Sequence, residues 1–285
     1  MSQPIPLVAG ALLLALAQPA AAQDLPGQSD GLRIGGDRVT VGAGVALVPS
    51  YAGARSSVSV PAVAVEGQIS GIAFNTLGTT LYVDAVPDRG GPGWKLQAGP
   101  LMSLRPDRNG RIRQPEIAAL GSLRTARELG GWVGLQRTGF VTSPYDTLSL
   151  SASWQRDIGN AHRSYVASPS LDYSTPLSTR AYASLSLGAD YVGRRFGRYY
   201  YDVAPAGAAA SGLAPYTGAA RPGWKDWNMS LLALHSITGN LTHGWGVFAT
   251  GGYEHILDPY ARSPIVRSVG SPRQRSEAVG LAYTF

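Results

Sequence analysis

The feature that most constrains the fold is a long two-residue alternation that recurs along the chain. In segment 145–158, Leu148, Leu150, Ala152 and Trp154 fall on one face, and the residues between them are serines. Side chains of a β-strand alternate with this period, whereas those of a helix repeat every 3.6 residues. Many segments exceed the roughly 5–6 residues of an average globular strand and reach the roughly 9–11 that a tilted strand needs to cross a bilayer.

Clusters of Gly, Pro, Asn and Asp separate the alternating segments, which is typical of all-β folds. The polar faces carry serine, threonine, glycine and isolated acids, which suits a narrow wet lumen. The sequence therefore predicts an antiparallel transmembrane β-barrel of about twelve strands, or about ten if the weak third and fourth do not form. The predicted strands are 37–48, 57–66, 68–76, 79–85, 93–105, 129–138, 145–158, 162–175, 179–193, 224–237, 242–256 and 274–285.

Aromatic residues lie at the ends of the apolar faces. Trp and Tyr concentrate at the two water interfaces of outer-membrane barrels, whereas a soluble sandwich would place them in mid-strand. These residues are Trp94, Trp154, Tyr165, Tyr173, Tyr191, Trp227, Trp245 and Tyr253.

The last segment, 274–285, ends on two aromatic residues of one face, Tyr283 and Phe285. In a barrel this strand would end at the periplasmic interface, and we expect the two residues to serve as the membrane-insertion signal. Taken alone, the segment could also be an ordinary edge strand of a soluble sheet.

The N-terminus predicts export. Residues 7–17 form a short apolar core and Ala20 to Ala22 a small-residue cleavage site, as in secretory signal peptides, although no Lys or Arg precedes them. We expect a signal peptide at 1–22, a periplasmic N-terminal segment at 23–36 and an outer-membrane barrel at 37–285.

Charge and composition exclude several classes of function. The net charge is +6, and Lys95 and Lys225 are the two lysines among 24 basic residues. The arginines fall mainly in predicted loops, with no basic helix or aromatic stacking platform, so nucleic-acid binding is not expected. The absence of cysteine excludes disulfides, thiolate zinc sites and thiol nucleophiles.

The lengths of the predicted connections indicate an orientation. If the chain starts in the periplasm, the long connections 49–56, 106–128, 194–223 and 257–273 all lie outside, and short connections form the periplasmic turns, as in single-chain barrels. We therefore expect both termini in the periplasm, and a monomer in the cell outer membrane in contact with lipid and lipopolysaccharide.

The 106–128 connection is rich in arginine. It is a candidate cationic extracellular loop that touches lipopolysaccharide phosphates or an acidic partner, and a simple solvated loop is the alternative. One short helix is expected at 114–120. The arginines are Arg108, Arg111, Arg113, Arg124 and Arg127.

The 194–223 connection combines three successive tyrosines with a run of small residues. One interpretation is a mouth loop that folds inward or packs across the barrel opening. The other is that the tyrosines extend the outer aromatic belt. The candidate mouth-loop residues are Tyr199, Tyr200, Tyr201, Asp202 and Tyr216.

Enzymatic chemistry is not expected. The four histidines are scattered, and the one cluster that resembles a hydrolase site is His255 with Glu254, Asp258 and Ser263. Glu254 and His255 are adjacent in a strand and therefore point to opposite faces. No phosphate-binding glycine loop or metal-ligand set is present, so we expect neither cofactor nor metal.

Several short motifs, in a fixed order, resemble those of the MipA/OmpV family, which is named for a protein that interacts with a murein lytic transglycosylase. The resemblance covers nearly all of the chain after residue 22. Asp202 and Arg262 depart from the pattern, standing where Gly and Asp are expected. The motifs are V-P-S-Y-A-G-A at 48–54, Gly99-Pro100 with Arg105, E-L-G-G at 128–131, Y-Y-D-V and A-A-S-G-L-A-P-Y between Tyr200 and Tyr216, S-P-I-V at 263–266 and the terminal L-A-Y-T-F.

This resemblance implies a non-enzymatic outer-membrane barrel that serves as a scaffold in cell-envelope and peptidoglycan maintenance. Its implied partners are a murein lytic transglycosylase and a penicillin-binding protein, which would have to bind the short turns and segment 23–36. The alternative is a small pore for ions or small solutes, whose lumen charges would be Asp172, Asp190 and Glu254. In the scaffold hypothesis these acids pair with interior arginines as a plug.

Overall fold

The computed structural model describes residues 37–87, 93–109 and 112–285. Within them, twelve antiparallel strands form a closed barrel in which the last strand pairs with the first, so the predicted fold class and strand number are confirmed. The predicted signal peptide at 1–22 and the segment 23–36 lie outside the described residues. The strands are β1 (Arg38–Pro49), β2 (Ser57–Ile69), β3 (Ile72–Leu77), β4 (Thr80–Asp84), β5 (Gly93–Arg105), β6 (Ala126–Thr138), β7 (Thr147–Asp157), β8 (Tyr165–Pro176), β9 (Ala181–Val192), β10 (Gly223–Ser236), β11 (Gly244–Ile256) and β12 (Arg273–Thr284).

The barrel closes between β1 and β12, whose register runs from the pair Thr40 and Thr284 to the pair Leu47 and Glu277. The hydroxyl oxygens of Thr40 and Thr284 are 2.9 Å apart, within hydrogen-bond distance. Closure pairs the backbone groups of both edges, and a spanning sheet requires this because hydrocarbon offers no hydrogen-bond partners.

The outer wall of the barrel is apolar and exposed. Val63, Leu150 and Val279 each retain more than half of their accessible surface, at 65%, 61% and 62%, and their strand neighbours inside are small or hydroxylated. Such a belt would be unfavourable in water, where each Å² of apolar surface costs about 25 cal/mol. In a bilayer it matches the outward face of a membrane barrel.

Aromatic side chains mark both ends of this belt. Tyr283 lies between Trp245 and Phe285, with ring centroids 5.0 and 4.7 Å away. That cluster belongs to one girdle, and its proposed role in membrane insertion stays a prediction. No helix in the described part of the chain has the length and hydropathy of a membrane span. At the opposite end the girdle contains Trp154, Tyr165, Tyr191, Trp224, Trp227 and Tyr253.

The two ends of the barrel differ in their connections. The long-loop end carries 50–56, 78–79, 106–125, 158–164, 193–222 and 257–272, and the short-turn end carries 70–71, 85–92, 139–146, 177–180 and 237–243. Every helix of the described residues lies at the long-loop end. The helices are α1 (Pro115–Ala119), α2 (Arg194–Tyr201), α3 (Pro205–Ser211) and α4 (Pro264–Arg267), with a 3-10 turn at Tyr260–Arg262.

The predicted boundary between β2 and β3 is wrong. The turn between β2 and β3 was expected at residue 67, but Gly67 lies within β2, opposite Val39 and Phe74. The turn is formed by Ser70 and Gly71, with φ of 52° and 80°. Two successive positive φ angles give the turn whose twist suits a two-residue hairpin, so β2 continues to Ile69.

Candidate functional site

The described residues of the connections 50–56, 106–125, 193–222 and 257–272 fold together into one structure, which we call the cap. Its centre is α2, whose Tyr201 has no accessible surface. Helix α2 packs against side chains of the barrel wall as well as against the other loops, so the cap is seated in the mouth. The core around α2 consists of Val166, Val192, Phe196, Tyr200, Tyr201, Ala219, Ile256, Tyr260 and Val266.

A second buried cluster extends the cap away from α2. Helices α1 and α3 contact each other there, and the first long loop contributes Tyr51 and Ala54. Burial raises the pKa of Tyr51 to about 12, although the nearby Arg108 opposes the shift. The cluster consists of Tyr51, Ala54, Ile117, Val203, Ala208, Leu213 and Ile265.

Hydrogen bonds between loops hold the cap in one arrangement. Arg108 donates from Nη2 to the carbonyl oxygens of Tyr199 and Tyr200, at 3.3 and 3.4 Å, and Ser263 donates from Oγ to the carbonyl of Tyr201, at 2.5 Å. These bonds satisfy carbonyl groups at the end of α2 that have no partner within the helix. A side chain at Gly197 would meet the ring of Tyr260, with Cβ only 2.8 Å from Cε1.

A buried charged layer lies directly beneath the cap. Its first half is centred on Glu128 of β6. The carboxylate accepts hydrogen bonds from Nε and Nη2 of the Arg105 guanidinium group, at 3.1 Å each. Gln155 donates to the same carboxylate at 2.8 Å. Nε2 of His162 lies 2.8 Å from it, and because Nδ1 accepts from the backbone N–H of Ser164, the neutral imidazole carries its proton on Nε2. Each oxygen of a fully buried carboxylate therefore has at least two donors.

The second half of the layer is centred on Lys225. A register shift between Trp224 and Asp226 makes residue 225 the extra residue of a β-bulge, and bulges re-aim side chains in this way. Lys225 and Asp226 are both buried as a result. The Lys225 Nζ lies 3.1 Å from Asp190, 2.6 Å from Asp226 and 3.6 Å from Glu254.

The cap rests on the layer through aromatic contacts. The guanidinium carbon of Arg105 is 5.4 Å from the ring centroid of Phe196 in α2, a cation–π distance. The His162 ring lies 5.1 Å from Phe196 and 5.8 Å from Tyr200. Cap and layer are therefore one packed unit, and a change in either alters the surroundings of the other.

The arginines of the predicted cationic loop do not all lie at the surface. Arg108 is buried, with 5% of its surface exposed, and points into the cap, so its expected place in a surface patch is wrong. The reason is the burial of α2, whose carbonyl groups need a donor. Arg113, Arg124 and Arg127 are exposed, and Arg111 lies outside the described residues. The expected helix at 114–120 forms as α1.

Of the predicted lumen charges, Asp190 and Glu254 are brought together and Asp172 is not. The cation beside the first two is Lys225, and not an arginine as the plug hypothesis expected. Asp172 accepts a hydrogen bond from Ser170 at 2.8 Å, and no ion pair with it occurs in the described part of the chain.

The predicted mouth-loop residues all lie in the cap. Tyr200 and Tyr201 are buried in its core, and Tyr199 bonds the backbone of Arg124 through its hydroxyl group. Tyr216 donates to the carbonyl of Pro259 at 2.6 Å, and Asp202 accepts from the Ala219 N–H at 3.2 Å.

The hydrolase-like cluster does not converge on one point. Glu254 faces Lys225, whereas His255 packs against the ring of Trp227 at 6.1 Å. Ser263 is buried in the cap, and Asp258 pairs with Arg262 at the surface. Among the described residues there is no group of three or more side chains that could hold a metal ion.

Sequence reasoning missed most of the charged layer: Arg105, Glu128, Gln155, His162, Lys225 and Asp226. The pair Lys225-Asp226 did carry a signal, because two successive charges between Trp224 and Trp227 interrupt the alternation of a spanning strand. Such an interruption indicates a bulge.

The family profile described as MltA-interacting protein MipA matches residues 41–285. The chain belongs to the MipA family. The match includes all but the first three residues of the barrel strands, so cap and charged layer both lie within the family region. A comparison with curated protein sequences gives no match.

Solved structures similar to this MipA-family chain are barrels. The translocator domain of autotransporter NalP from Neisseria meningitidis aligns with a TM-score of 0.40 and 13% identity, over 89% of this chain and 90% of that one. An anion-selective porin from Comamonas acidovorans gives 0.35 and 12%, over 86% and 74%. The toluene transporter TodX of Pseudomonas putida gives 0.35 and 8%, over 87% and 89%.

Proposed function

We propose that this protein is a non-enzymatic, monomeric outer-membrane barrel that serves as a structural or scaffolding element for murein-remodelling enzymes. In this proposal the long-loop end faces outward, and the termini and the short turns face the periplasm. The observation that carries it is the filled mouth: beneath the cap, Glu128 has no accessible surface and Lys225 only 5%. A barrel that is closed in this way is better suited to holding a position in the membrane than to conducting solutes.

The short-turn end offers a candidate surface for a partner. The connection 139–146 exposes Val141 to 73% and Phe140 to 47%. Its backbone is held by Asp146, which accepts the N–H groups of Phe140, Val141 and Thr142. A partner that binds a preorganised apolar turn loses little conformational entropy. The family name, MltA-interacting protein, supports a murein lytic transglycosylase as that partner.

Binding to a purified murein lytic transglycosylase tests the scaffolding role. We expect the refolded protein in lipid nanodiscs to bind the enzyme, and Val141→Asp to weaken the complex at least about tenfold, since a charge would enter an apolar contact. The matched control is Ile158→Asp, which changes an apolar residue that is 60% exposed at the long-loop end and should bind as the wild type does. Equal affinities for all three proteins, or no binding at all, would contradict the proposal.

A small pore is the second candidate function. It is favoured by the hydroxyl groups that line the lumen on β7, β8 and β9, where Ser151 and Ser170 bond each other at 2.8 Å and remain partly accessible. Such a wall would suit water and small polar solutes.

Planar-bilayer conductance separates the two candidates. The intact chain should be silent, and a variant lacking residues 194–222, which removes α2 and α3, should give discrete steps. Folding of the variant is checked by its heat-modifiable mobility in gels. Stable steps from the intact protein would favour the pore.

A further inference from the structure

An arginine cluster lies on the outer wall at the long-loop end. Arg127 of β6 and Arg156 of β7 point outward, and Arg124 and Arg163 flank them in the adjoining connections. All four are exposed. In the described part of the chain, no carboxylate lies within ion-pair distance of their guanidinium groups. Like charges gathered without counterions are unfavourable, which points to an anion supplied from outside.

Strand alternation has separated these arginines from the acids beside them in sequence. Arg127 precedes Glu128, and Arg156 precedes Asp157, but successive side chains of a strand point to opposite faces. Both acids are therefore buried inside. Glu128 is neutralised by Arg105, and Asp157 accepts the backbone N–H groups of Gly159 and Arg163, at 2.8 and 2.9 Å. The outer face keeps the positive charge alone.

The backbone that carries the cluster is held by hydrogen bonds. The carbonyl oxygen of Arg127 accepts from Ile158 at 2.7 Å and from Gly159 at 3.3 Å. Arg124 donates from Nη2 to the carbonyl of Gly159, also at 3.3 Å. These bonds join the 106–125 connection, β6 and the 158–164 connection, so the arginines are presented at fixed positions.

The cluster lies at the boundary of the apolar belt. Leu129 is the register partner of Arg156, and Trp154 lies two residues from Arg156 on the same face. Leu129 and Trp154 are about half exposed, as lipid-facing residues are, so the guanidinium groups stand at the depth of lipid headgroups. Arginine binds phosphate oxygens through paired, charge-assisted hydrogen bonds.

We propose that Arg124, Arg127, Arg156 and Arg163 form a binding site for the phosphate groups of lipopolysaccharide. The site rests on the outward orientation of the long-loop end in the proposed function. It is independent of any murein enzyme and of conductance. The bound lipid would occupy the wall of β6 and β7, with its acyl chains along Leu129 and Trp154 and its phosphates on the arginines.

The test measures retention of lipopolysaccharide by the full chain in detergent micelles, using native mass spectrometry. The wild type should retain lipopolysaccharide, and Arg127→Gln/Arg156→Gln should retain at least about tenfold less, because charge-assisted hydrogen bonds are lost. The matched control, Arg273→Gln/Arg275→Gln, removes two exposed outward charges of β12 at the same end of the barrel and should behave as the wild type does.

Dephosphorylated lipopolysaccharide and inorganic phosphate separate the possible sources of the anion. We expect weak retention of the dephosphorylated lipid and no competition by millimolar inorganic phosphate. Equal retention of both lipids, or equal losses in the two double variants, would overturn the site. Binding of an acidic peptide that displaces the lipid at lower concentration would instead assign the cluster to a protein partner. Conductance or failure to bind a transglycosylase would leave this result unchanged.

Discussion

Asp146 is the residue on which the order of the 139–146 turn depends. Its burial would raise the pKa of the carboxyl group, but the N–H groups of Thr142, Val141 and Phe140 and the hydroxyl of Tyr173 bond the ionised form and hold the pKa well below its usual range. A depressed folded-state pKa contributes stability that is present above the unfolded value of about 4 and is lost only as pH falls through the lower folded value.

We therefore expect the turn to stay ordered in mildly acidic solution. The measurement is hydrogen exchange, corrected for intrinsic rates, of the amides of Phe140, Val141 and Thr142. Their protection should be the same at pH 7 and at about pH 4.5, because Asp146 remains ionised. In Asp146→Asn, an NH₂ group replaces one carboxylate oxygen, and each of the two oxygens accepts at least one of these N–H bonds, so protection should fall at least about tenfold. Loss of protection in the wild type over this pH range would contradict the assignment.

At the scale of elements, the strands could be predicted from the sequence and the cap could not. Strand β5 forms at 93–105 as predicted, because alternation, polar lumen residues and a terminal Trp94 are local signals. Strand β2 ends at Ile69, three residues beyond the predicted end at 66. The sequence does not show this, because Ser70, unlike Gly67, carries no signal for a positive φ.

The cap depends on contacts between residues far apart in the chain. Arg108 bonds α2 across 92 residues, to Tyr200, and Gln274 bonds the first long loop across 220, to Ala54. Composition alone indicates that such loops are solvated, and it therefore predicts Arg108 at the surface. Tyr199 to Tyr201 were equally compatible with an outer belt, and only the packing of α2 against the barrel wall distinguishes the two interpretations.

At the scale of the whole molecule, the two ends of the barrel are built for different surroundings. At the long-loop end, the buried charged layer supports the cap that closes the mouth, and arginines lie on the outer wall. The short-turn end exposes an ordered apolar turn and partly accessible hydroxyl groups in the lumen. Both descriptions depend on which face of each strand meets lipid.

That face assignment is tested by two neighbouring leucines in β10. Leu231 is 54% exposed on the outer wall, whereas Leu232 lies in the lumen opposite Thr250 and Ser184. Leu231→Arg should lower the free energy of unfolding by roughly 2–4 kcal/mol, because arginine is costly near the middle of a bilayer. Leu232→Arg makes the same substitution one residue away, and its guanidinium group can be hydrated by lumen water, so it should cost less. Denaturant titrations in lipid vesicles, followed by tryptophan fluorescence, measure both values. If Leu232→Arg proved the more costly, the lumen and lipid faces of the barrel would have to be exchanged.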